Sequence, residues 1–165
     1  MRAPTLVFAC FLGASGCAEP LVPEVSGRFT ALAAGDDHTC ALVQDSTAFC
    51  WGSNNSFKLG SGGTELRDSV PQLVSTGFAF MQIAAGRDHT CALTALGAAY
   101  CWGAGMNGQL GKAGTTNAPQ PVAVDGGLTF RAITAGVIHT CALTDAGACR
   151  TSASSSYGGT SRNPS

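Results

Sequence analysis

The stretch Phe80–Gly103, FMQIAAGRDHTCALTALGAAYCWG, stands a second time in the chain as Phe29–Gly52, FTALAAGDDHTCALVQDSTAFCWG. It begins a third time at Phe130 as FRAITAGVIHTCALTDAGAC, so the copies start 51 and 50 residues apart. A period near 50 marks an architecture made by repeating one supersecondary unit. Pro20, Pro71 and Pro121 each lie nine residues ahead of the phenylalanine that opens a copy. The repeats therefore occupy residues 18–149. Residues 20–28 are the end of a preceding unit, 29–79 a first full unit, 80–129 a second and 130–149 an incomplete third.

Within a unit, apolar residues alternate in short runs, and glycine or proline interrupts them every ten residues or so. These are strand signals, not helix signals. They predict strands at Phe29–Ala34, His38–Val43, Thr47–Trp51 and Gln72–Ser75 in the first unit. In the second unit the strands are Phe80–Ala85, His89–Thr94, Ala98–Trp102 and Val122–Val124. Gly35, recurring as Gly86 and Gly136, ends the first strand and is read as a residue needed for its backbone freedom.

The cysteines test the hairpin register. A three-residue loop Ala95-Leu96-Gly97 with Gly97 left-handed sets Cys91 opposite Cys101, and the loop Gln44-Asp45-Ser46 sets Cys40 opposite Cys50. Facing residues in a non-hydrogen-bonded antiparallel pair have Cα atoms ~4.5 Å apart, at the short end of the disulfide range. Bridges Cys40–Cys50 and Cys91–Cys101 follow. The third unit breaks the pattern: with Asp145-Ala146-Gly147 as loop, Cys141 faces Thr151 and Cys149 faces Leu143. Arg150-Thr151 stand where tryptophan and glycine should follow the second cysteine, and residues 150–165 read as a polar, low-complexity tail.

Nine basic and ten acidic residues give a net charge of −1, which argues against a nucleic-acid surface. Eight cysteines favour an oxidising compartment. Residues 1–17 carry one early arginine, an apolar run Thr5–Leu12 too short to span a bilayer, and small residues leading to Cys17. This is a secretory signal pattern that resembles a bacterial lipobox, in which Cys17 becomes lipidated. The same residues also fit an ordinary signal peptide cut near Ala18, or a misassigned start.

His38, His89 and His139 each stand two residues before a cysteine. His38, Cys40 and Cys50 could offer three zinc ligands, but zinc-type spacing is missing, and a histidine copied once per unit reads better as a strand residue bonding its neighbours. Asp36-Asp37 and Asp88 are too few oxygens for calcium and read as turn residues capping their own backbone. Trp51 and Trp102 read as packing between units, with a sugar-stacking face as the alternative. No catalytic set stands apart from the repeat, and no metal or cofactor is implied.

The unit F-x-x-[LI]-x-A-G-x-x-H-T-C-A-L, followed by C-W-G, Leu-Gly and a proline-led strand, resembles the regulator of chromosome condensation repeat. Gly108-Gln109-Leu110-Gly111 matches that family's Gly-Gln-Leu-Gly segment, and Leu59-Gly60 matches its last half. The cysteines resemble those of an exported bacterial branch. The resemblance implies an all-β, partial β-propeller of about two to three blades, each of four antiparallel strands. A ring would need further blades or subunits to close. The expected role is a non-catalytic protein-binding or scaffold module at the cell surface, outer membrane or periplasm, held to a membrane only through a lipid anchor. Its partner would be another protein, met by the long loops 53–69 and 104–118. Guanine-nucleotide exchange with chromatin association, as in the family's namesake, is the alternative. A remnant of an accessory domain of a larger exported enzyme is the third reading.

Overall fold

A computed structural model describes residue 25, residues 27–114 and residues 116–152. The expected signal segment 1–17 with Cys17, residues 20–24 of the preceding unit's end and the tail beyond 152 lie outside the described residues.

Among the described residues eleven strands form three antiparallel sheets, and sequence order is spatial order in each. The first sheet runs β1 (Phe29–Ala34), β2 (His38–Val43), β3 (Ala48–Ser53), β4 (Arg67–Leu73). The second runs β5 (Phe80–Ala85), β6 (His89–Thr94), β7 (Ala99–Gly103), β8 (Ala118–Ala123). The third has β9 (Phe130–Ala135), β10 (Thr140–Thr144) and β11 (Cys149–Ser152), with β10 in the middle. Each sheet is one meander, and together they are consecutive blades of a partial propeller. A 3-10 turn, Asn55–Phe57, leaves β3 and packs against β7 and β8 of the next blade.

The core lies between blades rather than within one. Leu42, Ala48, Leu59 and Val74 of blade 1 are buried with Phe80, Ala92, Trp102 and Leu110 of blade 2. Leu93 and Ala99 meet Phe130 and Ala142 across the second seam. A four-stranded sheet this short cannot bury both faces alone, so each unit depends on its neighbour.

The hairpin registers follow from the loops. Cys40 pairs with Cys50 and Cys91 with Cys101, each pair with Cα atoms 4.1 Å apart and sulfurs at bonding distance. Gly97 and Gly147 take left-handed φ of 77° and 78°, and Ser46 at the same turn position takes 67°. In the third hairpin Cys141 lies opposite Thr151 and Cys149 opposite Leu143.

Three expectations are corrected. The fourth strands begin well before Gln72 and Val122, so Pro71 and Pro121 lie inside β4 and β8. Both are outermost strands, and the register slips between Cys50 and Gly52, and between Cys101 and Gly103. Proline, lacking an N–H, is tolerated at such edges and bulges. Residues 150–152, assigned to the tail by composition, complete β11. Gly35 is also not required for its φ, which lies outside the left-handed range. A Cβ there would collide with the His38 ring and with the carbonyl of Gly86 in the next blade. Gly86 and Gly136 stand in the same relation to His89 and His139. The glycine makes room; it does not make a turn.

Candidate functional site: the inter-blade seams and the loop rim

The repeated histidine begins the second strand of its blade and points across the seam. His38 Nε2 lies 2.9 Å from Thr90 Oγ1, and His89 Nε2 lies 2.8 Å from Thr140 Oγ1. Each threonine is the residue after the next blade's histidine. Thr90 Oγ1 donates to the Lys58 carbonyl at 3.0 Å, and Thr140 Oγ1 to the Gln109 carbonyl at 2.9 Å. With its one proton committed, each hydroxyl can only accept from histidine. The rings are therefore the Nε2–H tautomers, which leaves Nδ1 of His38 and of His89 buried without a hydrogen-bond partner. Burial pushes the His38 pKa down to about 4, with the Lys58 charge adding to the effect. Burial does the same to His89, also to about 4, with His139 adding to it. Both are neutral struts at physiological pH. His139 is exposed, and among the described residues no fourth sheet stands against it.

Asp37 and Asp88 neither cap their own turns nor gather oxygens for calcium. They hold Lys58, a residue that no sequence motif marks. Its side chain is 1% exposed, with Nζ 2.5 Å from Asp37 Oδ1 and 2.8 Å from Asp88 Oδ1. The Lys58 hydrogen bond holds the Asp37 carboxyl below its usual range. Burial alone would raise Asp88, but hydrogen bonds from Lys58 and Arg87 outweigh it and leave the carboxyl lowered. Burial likewise works against the Lys58 charge, yet the two carboxylates raise its pKa. In the next unit the equivalent position is Gln109, and the place of Asp88 is taken by Ile138. Lysine thus occurs where two acids face it and glutamine where one has become aliphatic. That exchange was the readable signal for Lys58.

Trp102 is wholly buried in the first seam, its Nε1 donating to the Lys58 carbonyl at 3.0 Å. Its ring stacks near Phe80, centroids 6.0 Å apart. Trp51 is half-buried beside Phe29 on the leading side of blade 1. Among the described residues no cluster of three histidine, cysteine or acidic side chains is arranged to hold a metal ion.

The loops 53–69 and 104–118 divide into two parts. Asn54, Lys58, Leu59 and Gly60, like Gly105, Gln109 and Leu110, are buried in the seams. Asn54 organises its loop: Nδ2 donates to the carbonyls of Glu65 and Gly63, and Oδ1 accepts from Leu59 N–H. The tips, residues 62–67 and the described part of 112–117, are exposed, as are Asn55, Ser69 and Met106. Leu66 and Met106 stand out from this rim, each 72% exposed. The first tip touches β8 of the next blade, where Gly62 N–H donates to the Pro119 carbonyl at 3.1 Å.

Four-stranded meanders of one repeated sequence, stacked seam to seam, define a repeat protein of the β-propeller class. The chain belongs to the regulator of chromosome condensation (RCC1) repeat family, whose model matches residues 45–93 and 97–143. A second model of the same repeat matches residues 29–57 and 82–109. The chain is 43% identical over 82 residues to the human probable E3 ubiquitin-protein ligase HERC4, covering 48% of this chain and 8% of that protein. It is 38% identical over 100 residues to the Arabidopsis thaliana ultraviolet-B receptor UVR8, covering 59% of this chain and 22% of the receptor. Against the human regulator of chromosome condensation it is 36% identical over 91 residues, covering 54% of this chain and 22% of that one. These matches span less than a quarter of each relative. Among solved structures, human WBSCR16 superposes with a TM-score of 0.70 at 21% identity, over 76% of this chain and 33% of that one. Saccharomyces cerevisiae Prp20p, described with its binding properties to Gsp1p and histones, gives 0.67 at 22% identity, over 74% of this chain and 32% of its own.

Proposed function

We propose that the chain is a non-catalytic protein-binding module whose recognition surface is the pair of exposed loop tips, residues 62–67 and 112–117. The observation that carries this is a division of labour. The residues that recur between units, His38 and His89, Thr90 and Thr140, Trp102, are consumed by seam contacts. The tips differ between units, and their described residues are exposed. Loops on a rigid frame are where binding residues concentrate. The solved structure of Kap60 bound to yeast RCC1 (Prp20) agrees with a protein partner.

The reading includes export, with Cys17 as a lipid anchor, supported by the apolar N-terminal run and the facing cysteine pairs. A net charge of −1 favours a protein over a nucleic acid as the partner.

The experiment replaces residues 62–67 and 112–117, separately and together, by glycine-serine segments and compares capture of partners from an extract of the source cells. A partner held by the parent chain and lost on exchange, with the melting temperature unchanged, supports the reading. Partners retained after the double exchange contradict it.

A further inference from the structure

The two seams are built from the same positions, and at one of them serine stands in place of tryptophan. In the first, Trp102 lies opposite Thr90 in the β6–β7 register. Its Nε1 shares the Lys58 carbonyl with Thr90 Oγ1, and its ring covers Gly60 so closely that a Cβ there would come within 2.6 Å of Nε1. In the second seam the β10–β11 register places Ser152 opposite Thr140. Ser152 Oγ donates to the Gln109 carbonyl at 3.1 Å, beside Thr140 Oγ1 at 2.9 Å. The serine keeps the hydrogen bond of the indole N–H and leaves out the ring.

Among the described residues nothing fills the space left by the ring. A cleft of about 600 Å³ lies there, walled by Ala99, Gly111, Val124, Phe130, Ala142 and Ser152. Gly111 corresponds to Gly60, Phe130 to Phe80, Val124 to Val74 and Ala99 to Ala48, all of which meet in the first seam around Trp102. Val74 is 1% exposed, whereas Val124 is only half-buried. The socket has kept its walls and lost its occupant. Apolar space left by a missing aromatic side chain retains free energy of refilling. Here apolar walls stand beside Ser152 and Thr140, and Lys112, Asp125 and Arg150 also line the cleft. Apolar walls with a few polar groups are the mixture that small-molecule sites use.

We propose that this cleft binds a planar aromatic ligand carrying one ring N–H, of the shape of indole. The ring lies over Gly111 against Phe130, as Trp102 lies over Gly60 against Phe80. The ligand N–H donates to Ser152 Oγ, which goes on donating to the Gln109 carbonyl. This site is independent of the loop tips and stands whether or not they bind a protein.

The test is titration of the full chain with indole, followed by calorimetry and by methyl NMR. Indene, which has the same outline without the N–H, is the comparison ligand. Saturable indole binding is expected, with methyl shifts centred on Val124, Ile133 and Leu128. Indene should bind roughly 3–10-fold more weakly, the worth of one hydrogen bond. Ser152→Trp fills the cleft from within and should abolish binding. If that variant does not fold, Ala142→Leu narrows the same space and should weaken binding at least tenfold. No saturable binding, shifts scattered away from the cleft, or binding unchanged by both substitutions overturns the proposal. Indene binding as tightly as indole overturns the role of Ser152.

Discussion

His38 and Thr90 stand 52 residues apart in the chain and 2.9 Å apart in space, ring nitrogen to hydroxyl. The contact joins the first residue of one blade's second strand to the matching strand of the next blade. Because His89 and Thr140 repeat it, the seam is a property of the repeat unit rather than of one pair. Its chemistry makes stability sensitive to acid in a defined window.

Both struts are neutral when folded, with pKa values lowered to about 4 from 6.5. In the unfolded chain they take up protons near pH 6.5, so between about 6.5 and 4 the unfolded state binds more protons and stability falls as pH falls. The loss should reach on the order of 2–3 kcal/mol per histidine at pH 4. Asp37 and Asp88, whose pKa values are lowered, add their own loss as pH falls through the carboxylate range below that window. Denaturant unfolding at pH 7.5, 6, 5 and 4 checks this. A flat profile above pH 5 contradicts the neutral-strut assignment.

Lys58→Gln leaves Asp37 and Asp88 facing each other without their ammonium. Removing one partner of a buried charge cluster is costly, but these carboxylates keep part of their hydration. The expected cost is therefore ~1–3 kcal/mol, below the fully buried case. Adding Asp37→Asn and Asp88→Asn should recover part of it. Midpoints of urea unfolding for the three chains decide the matter, and a triple variant weaker than Lys58→Gln alone would count against the charge argument.

Gly35 and Gly77 both have φ outside the left-handed range, yet they differ in surroundings. A Cβ on Gly35 meets the His38 ring and the Gly86 carbonyl, while one on Gly77 meets nothing within 4 Å. Gly35→Ala should cost ~2 kcal/mol or more through overpacking at the seam, and Gly77→Ala should change stability by less than about 0.5 kcal/mol. Equal effects in thermal melts would refute a steric role for Gly35.

The strand register sets Cys40 against Cys50 and Cys91 against Cys101 at a Cα separation of 4.1 Å. Mass spectrometry of oxidised material after alkylation should find these four cysteines unlabelled until reduction. Each bridge closes a short loop and should contribute ~2–3 kcal/mol on the chain-entropy estimate. Alkylation of all four without reductant contradicts the pairing.

How much of this was legible in the sequence depends on the range of the interaction. The strands Phe29–Ala34, His38–Val43, Phe80–Ala85 and His89–Thr94 have the bounds that alternation and glycine punctuation imply. The cysteine register, including the third unit where Cys141 faces Thr151, follows from a three-residue loop and a period of two. Both are local rules. β4 and β8 extend further than expected because proline reads as a strand boundary, and only their outer position in the sheet makes it harmless. The partner of His38 lies in the next unit, so the sequence marked the residue without naming what it touches. Lys58 escaped because a lone lysine in a loop reads as solvated. Only its exchange with Gln109, set beside Asp88 and Ile138, encodes its burial.

The central claim is that the repeated histidine and threonine hold consecutive blades together. A double-mutant cycle with His38→Phe, Thr90→Val and the double variant measures this in urea unfolding at pH 7.5. The predicted coupling is ~1 kcal/mol or more, because each single change strands a buried polar group that the double change removes. Single effects that add to within about 0.3–0.5 kcal/mol would show that His38 and Thr90 are merely adjacent and that the seam is held by packing alone.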